Sequence, residues 1–98
     1  MKKLTAEEIT EALAALPGWK VQDGKLHREF RFPDFAHAIG FLMTAAPSIE
    51  RLNHHPEWSN VYNRVTVDLT THDAGGITKM DRTLAELLEG IARELASK

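Results

Sequence analysis

The chain contains no cysteine. Disulfides, thiolate nucleophiles and cysteine-based zinc sites are thereby excluded, and a small secreted domain would more often carry disulfide staples. No basic run is longer than Lys2-Lys3, and the formal net charge is −2. The clustered Lys and Arg that a phosphate backbone requires are missing, so direct nucleic-acid binding is not expected. No stretch approaches the ~18 apolar residues of a membrane span. Met1-Lys2-Lys3-Leu4-Thr5 leads straight into a helical pattern, without the apolar core of a signal peptide. A cytoplasmic location and no membrane partner are therefore expected. Linkers, internal repeats and low-complexity segments are also lacking.

What remains is ordinary globular material. The 98 residues are 43% hydrophobic and 27% charged, which suits one domain over residues 1–98. Thr5 and Glu8 have capping-box spacing, with Leu4 and Ile9 at the staple positions. Ile9, Ala12, Leu13 and Leu16 follow at helical spacing until Pro17-Gly18. Trp19 and Val21 alternate with polar residues, and Asp23-Gly24 is a type I′ hairpin signal. Leu26, Phe30 and Phe32 share one strand parity, and His27, Glu29 and Arg31 the other. Asp34 reads as the cap of a second helix with a buried stripe of Phe35, Ile39, Leu42, Met43, Ala46 and Ile49. Pro47, at ~3 kcal/mol inside a helix, predicts a kink or restart.

Pro56 lacks an N–H and biases His55 away from helix, so the helix should end near His54-His55. Trp58–Tyr62 and Val65–Thr71 read as a second hairpin turning at Asn63-Arg64. Gly75-Gly76 is a loop. Thr78 caps a last helix whose apolar positions are Met80, Leu84, Leu87, Leu88, Ile91 and Leu95. The predicted class is α+β in the order α-β-β-α-β-β-α, a four-stranded antiparallel sheet with three helices on one face. Open sheet edges invite a second copy, so a homo-oligomer is expected.

Chemistry gathers in one pattern: Glu50, His54-His55-Pro56, Tyr62, His72 and Asp81. Three of the five histidines fall within nineteen residues. Imidazole, with an unperturbed pKa of ~6.5, exchanges protons near neutrality, so three of them beside two carboxylates supply the parts for acid/base work. Glu50 and His54 are four apart and would share a helix face, which suggests that Glu50 orients His54. His72 falls off the apolar parity of its strand or just past its end. Asp81, three residues after Thr78, reads first as the acid of a capping box and second as support for the site. Trp58 and Tyr62 read as packing or sheet-face residues rather than catalysts. His27 and His37 lie outside the pattern. Two bland readings compete: cationic side chains favoured at a helix C-terminus, and a solvated strand end for His72. A sharper competitor is a metallohydrolase using Glu50, His54 and His72 as a His₂Glu set, though no His-Glu-x-x-His spacing supports it.

Three segments carry a resemblance. They are Leu16-Pro17-Gly18-Trp19; His54-His55-Pro56-Glu57-Trp58 with Asn60-Val61-Tyr62-Asn63; and Thr71-His72-Asp73-Ala74-Gly75-Gly76-Ile77-Thr78 followed by Asp81. Together they resemble the pterin-4a-carbinolamine dehydratases over nearly the whole length. Pro47 departs from the unbroken helix the resemblance implies, and Asn53 stands where relatives often have an acid. The resemblance implies a lyase, 4a-hydroxytetrahydrobiopterin dehydratase, that removes water from 4a-hydroxytetrahydropterin to give quinonoid dihydropterin. It implies His54 and His72 as the acid/base pair, His55 as a third imidazole, and Asn53, Thr70, Thr71 and Asp73 as contacts to the pterin edge. No metal and no cofactor are implied. Partners would be the pterin and further copies of the chain, as sheet-extending dimers often paired into tetramers. Animal members also serve as a dimerisation cofactor for a homeodomain transcription factor, which leaves a binding module as the alternative from another class.

Overall fold

The computed structural model describes residues 1–96. Helix α1, Ala6–Ala15, starts where the capping box predicts. The Thr5 hydroxyl accepts from the Glu8 N–H at 3.1 Å, and the Glu8 carboxylate accepts from the Thr5 N–H at 2.8 Å. Strands β1, Lys20–Gln22, and β2, Lys25–Arg31, form a hairpin whose turn residues Asp23 and Gly24 both have positive φ, 54° and 76°. This is the left-handed pair that a type I′ turn demands.

Helix α2 spans Phe35–Leu52 and is capped by the Asp34 carboxylate, which accepts from the His37 N–H at 2.8 Å. Two expectations fail on this helix. It runs unbroken through Pro47, so the restart that the proline suggests does not occur. Pro47 and Met43, whose carbonyl loses its N–H partner, both lie on the solvent side, so the lost hydrogen bond is not buried. The buried stripe is also rotated from the expected one. Ala38, Phe41, Ala45 and Ile49 are buried, whereas Phe35, Met43 and Ala46 are exposed. The helix is apolar nearly all round, so its own pattern does not decide its rotation. Phe41 does: it sits 4.9 Å from the Phe30 ring and 5.2 Å from the Phe32 ring, measured between centroids, within the range of favourable aromatic pairing.

Strands β3, Glu57–Val61, and β4, Arg64–Leu69, form the second hairpin. It turns at Tyr62-Asn63, one residue earlier than expected, because Val61 pairs with Arg64. Tyr62 takes φ 52°, an uncommon conformation for a bulky residue. The sheet order is β1-β2-β4-β3, antiparallel throughout. Along β4, Val65, Val67 and Leu69 are buried against the helices, and Arg64, Thr66 and Asp68 face the other way. A short 3-10 turn, His72–Ala74, leads to helix α3, Lys79–Ala96, which buries Asp81, Leu84, Ala85 and Leu88. The observed class is therefore α+β in the predicted order, with the helices packed on one sheet face. No described helix is long and apolar enough to cross a membrane.

Candidate active site

The site begins with the way α2 ends. Asn53 adopts the left-handed conformation, φ 56°, and its N–H donates to the carbonyls of Ile49 and Glu50. After glycine, asparagine is the residue best suited to that position. An aspartate there would also bring negative charge to the carbonyl end of a helix, where the macrodipole disfavours it. The chain then leaves the helix with adjacent histidines pointing apart.

His54 turns inward. Its Nε2 lies 2.6 Å from Oδ1 of Asp81. Asp81 is fully buried in the first turn of α3, where a carboxylate is favoured. Its second oxygen, Oδ2, accepts from the Thr78 N–H and from the Thr71 hydroxyl, each at 2.8 Å. Thr78 Oγ1 in turn is 2.7 Å from Thr71 Oγ1 and accepts from the Met80 N–H at 3.2 Å. Oδ2 thus completes the helix start, as the capping-box spacing predicts, while Oδ1 takes the His54 imidazole. Thr71 ties the end of the β4 segment to the same carboxylate, and His72 follows it directly.

His55 turns outward. Its Nε2 is 2.6 Å from Oε1 of Glu50, with both side chains exposed. The expected Glu50–His54 pairing is not the one found. Helix spacing placed His54 over Glu50, but the helix ends at Leu52 and His54 is drawn to Asp81 instead.

His72 is the most exposed of the three, at 82% for its side chain. It opens the 3-10 turn just past the strand. Its Nε2 lies 3.6 Å from Oε2 of Glu57, an ion-pair distance too long for a hydrogen bond. The other oxygen of Glu57 accepts from Lys25 Nζ at 2.6 Å. That hydrogen bond holds the Glu57 carboxyl below its usual range and, from the other side, raises the Lys25 ammonium. Each of the three imidazoles therefore has its own carboxylate at one rim of the sheet.

The expected substrate contacts divide. The Thr71 hydroxyl is committed to Asp81 and Thr78. No hydrogen bond joins the side chains of Asn53, Thr70 and Asp73 to another described residue. Among the described residues, no three His, Cys, Asp or Glu side chains form a group that could hold a metal. Glu50, His54 and His72, the donor set that spacing allowed, go to three different partners. Sequence reasoning missed Glu57 as a partner of His72, and missed Lys25 altogether. Their meeting depends on the β2–β4–β3 strand order; the only local sign was the charged residues on one strand parity.

This geometry defines a small α+β domain with a rim of histidine–carboxylate pairs, and comparison with known proteins makes it specific. The family model described as pterin 4 alpha carbinolamine dehydratase matches residues 2–91. A provisionally named pterin-4-alpha-carbinolamine dehydratase of Solibacter usitatus is 59% identical over 90 residues, 92% of this chain and 95% of the relative. One of Rhizorhabdus wittichii is 49% identical over 94 residues, 94% and 97% of the two chains. A crystal structure from Brucella melitensis, of a transcriptional coactivator/pterin dehydratase, superposes with a TM-score of 0.88 at 47% identity, covering 93% of this chain and 99% of that one. The chain belongs to the pterin 4 alpha carbinolamine dehydratase family.

Proposed function

We propose that the chain dehydrates a 4a-hydroxytetrahydropterin to the quinonoid dihydropterin, by histidine acid/base catalysis, in the recycling of tetrahydropterin in the cytoplasm. The observation that carries this reading is the set of three imidazoles, each beside a carboxylate, at one rim of a chain of this family. In the reaction the C4a–O bond breaks and the hydroxyl leaves as water after taking a proton. The adjacent ring nitrogen gives up its proton, and the freed electron pair closes the carbon–nitrogen double bond. One acid and one base are needed, and such a pair contributes ~10²–10⁴-fold. Neither step calls for a metal or an organic cofactor.

The geometry favours a division of labour. With Asp81 accepting from Nε2, a neutral His54 has Nδ1 free as a proton acceptor, the form of a general base. His72, exposed and without a short hydrogen bond, can exchange its proton with water between turnovers and serves as the acid. His55 assists from the rim. Asn53, Thr70 and Asp73 contact the pterin edge, and Thr71 acts through Asp81. Purified protein should accelerate the dehydration, and the His54→Ala/His72→Ala double variant should lose most of that rate while staying folded. A folded double variant that works at the wild-type rate rules the reading out.

A second reading has an observation of its own. Phe35 and Met43 on α2 are 52% and 71% exposed, and β1 and β3 are open sheet edges. Such surfaces suit self-association, as a dimer or tetramer, or a docked partner as the Brucella protein's name suggests. Light scattering that reports only monomer at micromolar concentration contradicts the self-association.

A further inference from the structure

We propose that Glu57 is the positioning residue of His72, and that Lys25 sets how strongly Glu57 acts. The inference deepens the dehydratase reading and rests on it for the role of His72. Its basis is the way one carboxylate is divided. Glu57 stands on β3, directly opposite Asp68 of β4. One of its oxygens faces His72 at 3.6 Å, and the other is taken by Lys25, from β2, at 2.6 Å. The three residues come from three segments far apart in the chain, and the sheet brings their charges into a row. No hydrogen bond ties the His72 ring to any other described residue, and among the described residues Glu57 is the one carboxylate within ion-pair distance of it, at 3.6 Å.

Glu57 and Lys25 act on His72 with opposite sign. The carboxylate favours the imidazolium, the form a general acid needs. Lys25 opposes the imidazolium by its own charge and by holding the carboxylate at a distance. Asp68 of β4 and Asp23 of the β1–β2 turn also act on Lys25. Asp73 is the next residue in the 3-10 turn, and Asp68 is itself bonded to Nδ1 of His27 at 2.8 Å. Of these, only Glu57 and Lys25 have direct contacts that lead to His72.

The test is an NMR titration of the His72 ring protons in wild type, Glu57→Gln and Lys25→Met, with a pH–rate profile for each. Glu57 is exposed and Lys25 half-buried, and neither belongs to the hydrophobic core, so the variants should fold. In Glu57→Gln the His72 midpoint should move to lower pH, and in Lys25→Met to higher pH. The alkaline limb of kcat/KM should follow each shift. An unchanged midpoint in Glu57→Gln, or shifts of the same sign in both variants, overturns the inference. The NMR readout does not need the enzyme to be active. A wild type without dehydratase activity would therefore sink the functional reading, while the titration still decides the pairing.

Discussion

Two histidine–carboxylate pairs sit side by side and have the same length. His54 to Asp81 is 2.6 Å, and so is His55 to Glu50. Their surroundings differ. In the first pair the imidazole is 14% exposed and the carboxylate 0%; in the second the values are 56% and 76%. Asp81 also holds Thr71 and the start of α3, whereas among the described residues the Glu50 carboxylate holds only His55. A hydrogen-bond length therefore says little about what a pair contributes. An exposed pair exchanges freely with water and is worth ~0–1 kcal/mol. A buried carboxylate cannot lose its partners without leaving polar groups unsatisfied, and its removal is felt by the fold and the site together.

The sharpest way to break this comparison is Asp81→Ala. It strands the Thr78 N–H and frees the Thr71 and His54 side chains, so unfolding stability should fall by about 2–4 kcal/mol. Activity should fall with it, since His54 loses its fixed tautomer. Denaturant melts and steady-state rates on the same preparation check both. Asp81→Asn should keep most of the stability, because one amide oxygen can still accept from Thr78, yet lose rate through a reorganised His54. Equal losses in the two variants would mean that the charge, not the cap, dominates.

A smaller effect is expected at the other pair. Glu50→Gln should change the rate less than about threefold and the stability by no more than ~0.5 kcal/mol, as for surface substitutions generally. A hundredfold fall in rate would move Glu50 to the same standing as Asp81.

The smallest effects concern exposed ion pairs and appear only with pH. The hydrogen bond from the His37 side chain, then the His37 N–H, holds the Asp34 carboxyl below its usual 3.8. A depressed carboxyl stabilises the fold above the unfolded value, and that contribution is lost as pH falls through the folded value. Asp34→Asn keeps a capping oxygen without the charge, so it should be slightly less stable than wild type at neutral pH, with the difference vanishing in acid. The Lys25–Glu57 pair contributes over a window with two edges. Its stabilisation fades as pH falls through the lowered Glu57 value, and again as pH rises through the raised Lys25 value. Thermal melts of wild type and Lys25→Met across pH trace it.

Where a signal is local, the residues themselves announced the structure. Thr5 and Glu8 share one helical turn and define α1; Asp23-Gly24 needs no distant partner to turn a hairpin. The histidine spacing was legible for a related reason, because its rim lies at the ends of consecutive elements. The failures are tertiary. The rotation of α2 is decided by Phe30 and Phe32, distant in sequence from Phe41. Glu50 was assigned to His54 by helical spacing, and the buried Asp81, 27 residues on, outcompeted it. Pro47 was read by its propensity alone, but its cost is small where the orphaned carbonyl faces water. The Glu57–Lys25 link needed the strand order β2-β4-β3, which neither hairpin reveals by itself.

The account stands or falls on the difference between His54 and His55. Dehydration of a 4a-hydroxytetrahydropterin by His54→Ala and by His55→Ala, each compared with wild type at neutral pH, measures it directly. The fixed, half-buried imidazole is predicted to carry the larger share: at least a hundredfold loss of kcat for His54→Ala, and less than about tenfold for His55→Ala. Equal losses, or the larger loss at His55, would contradict it.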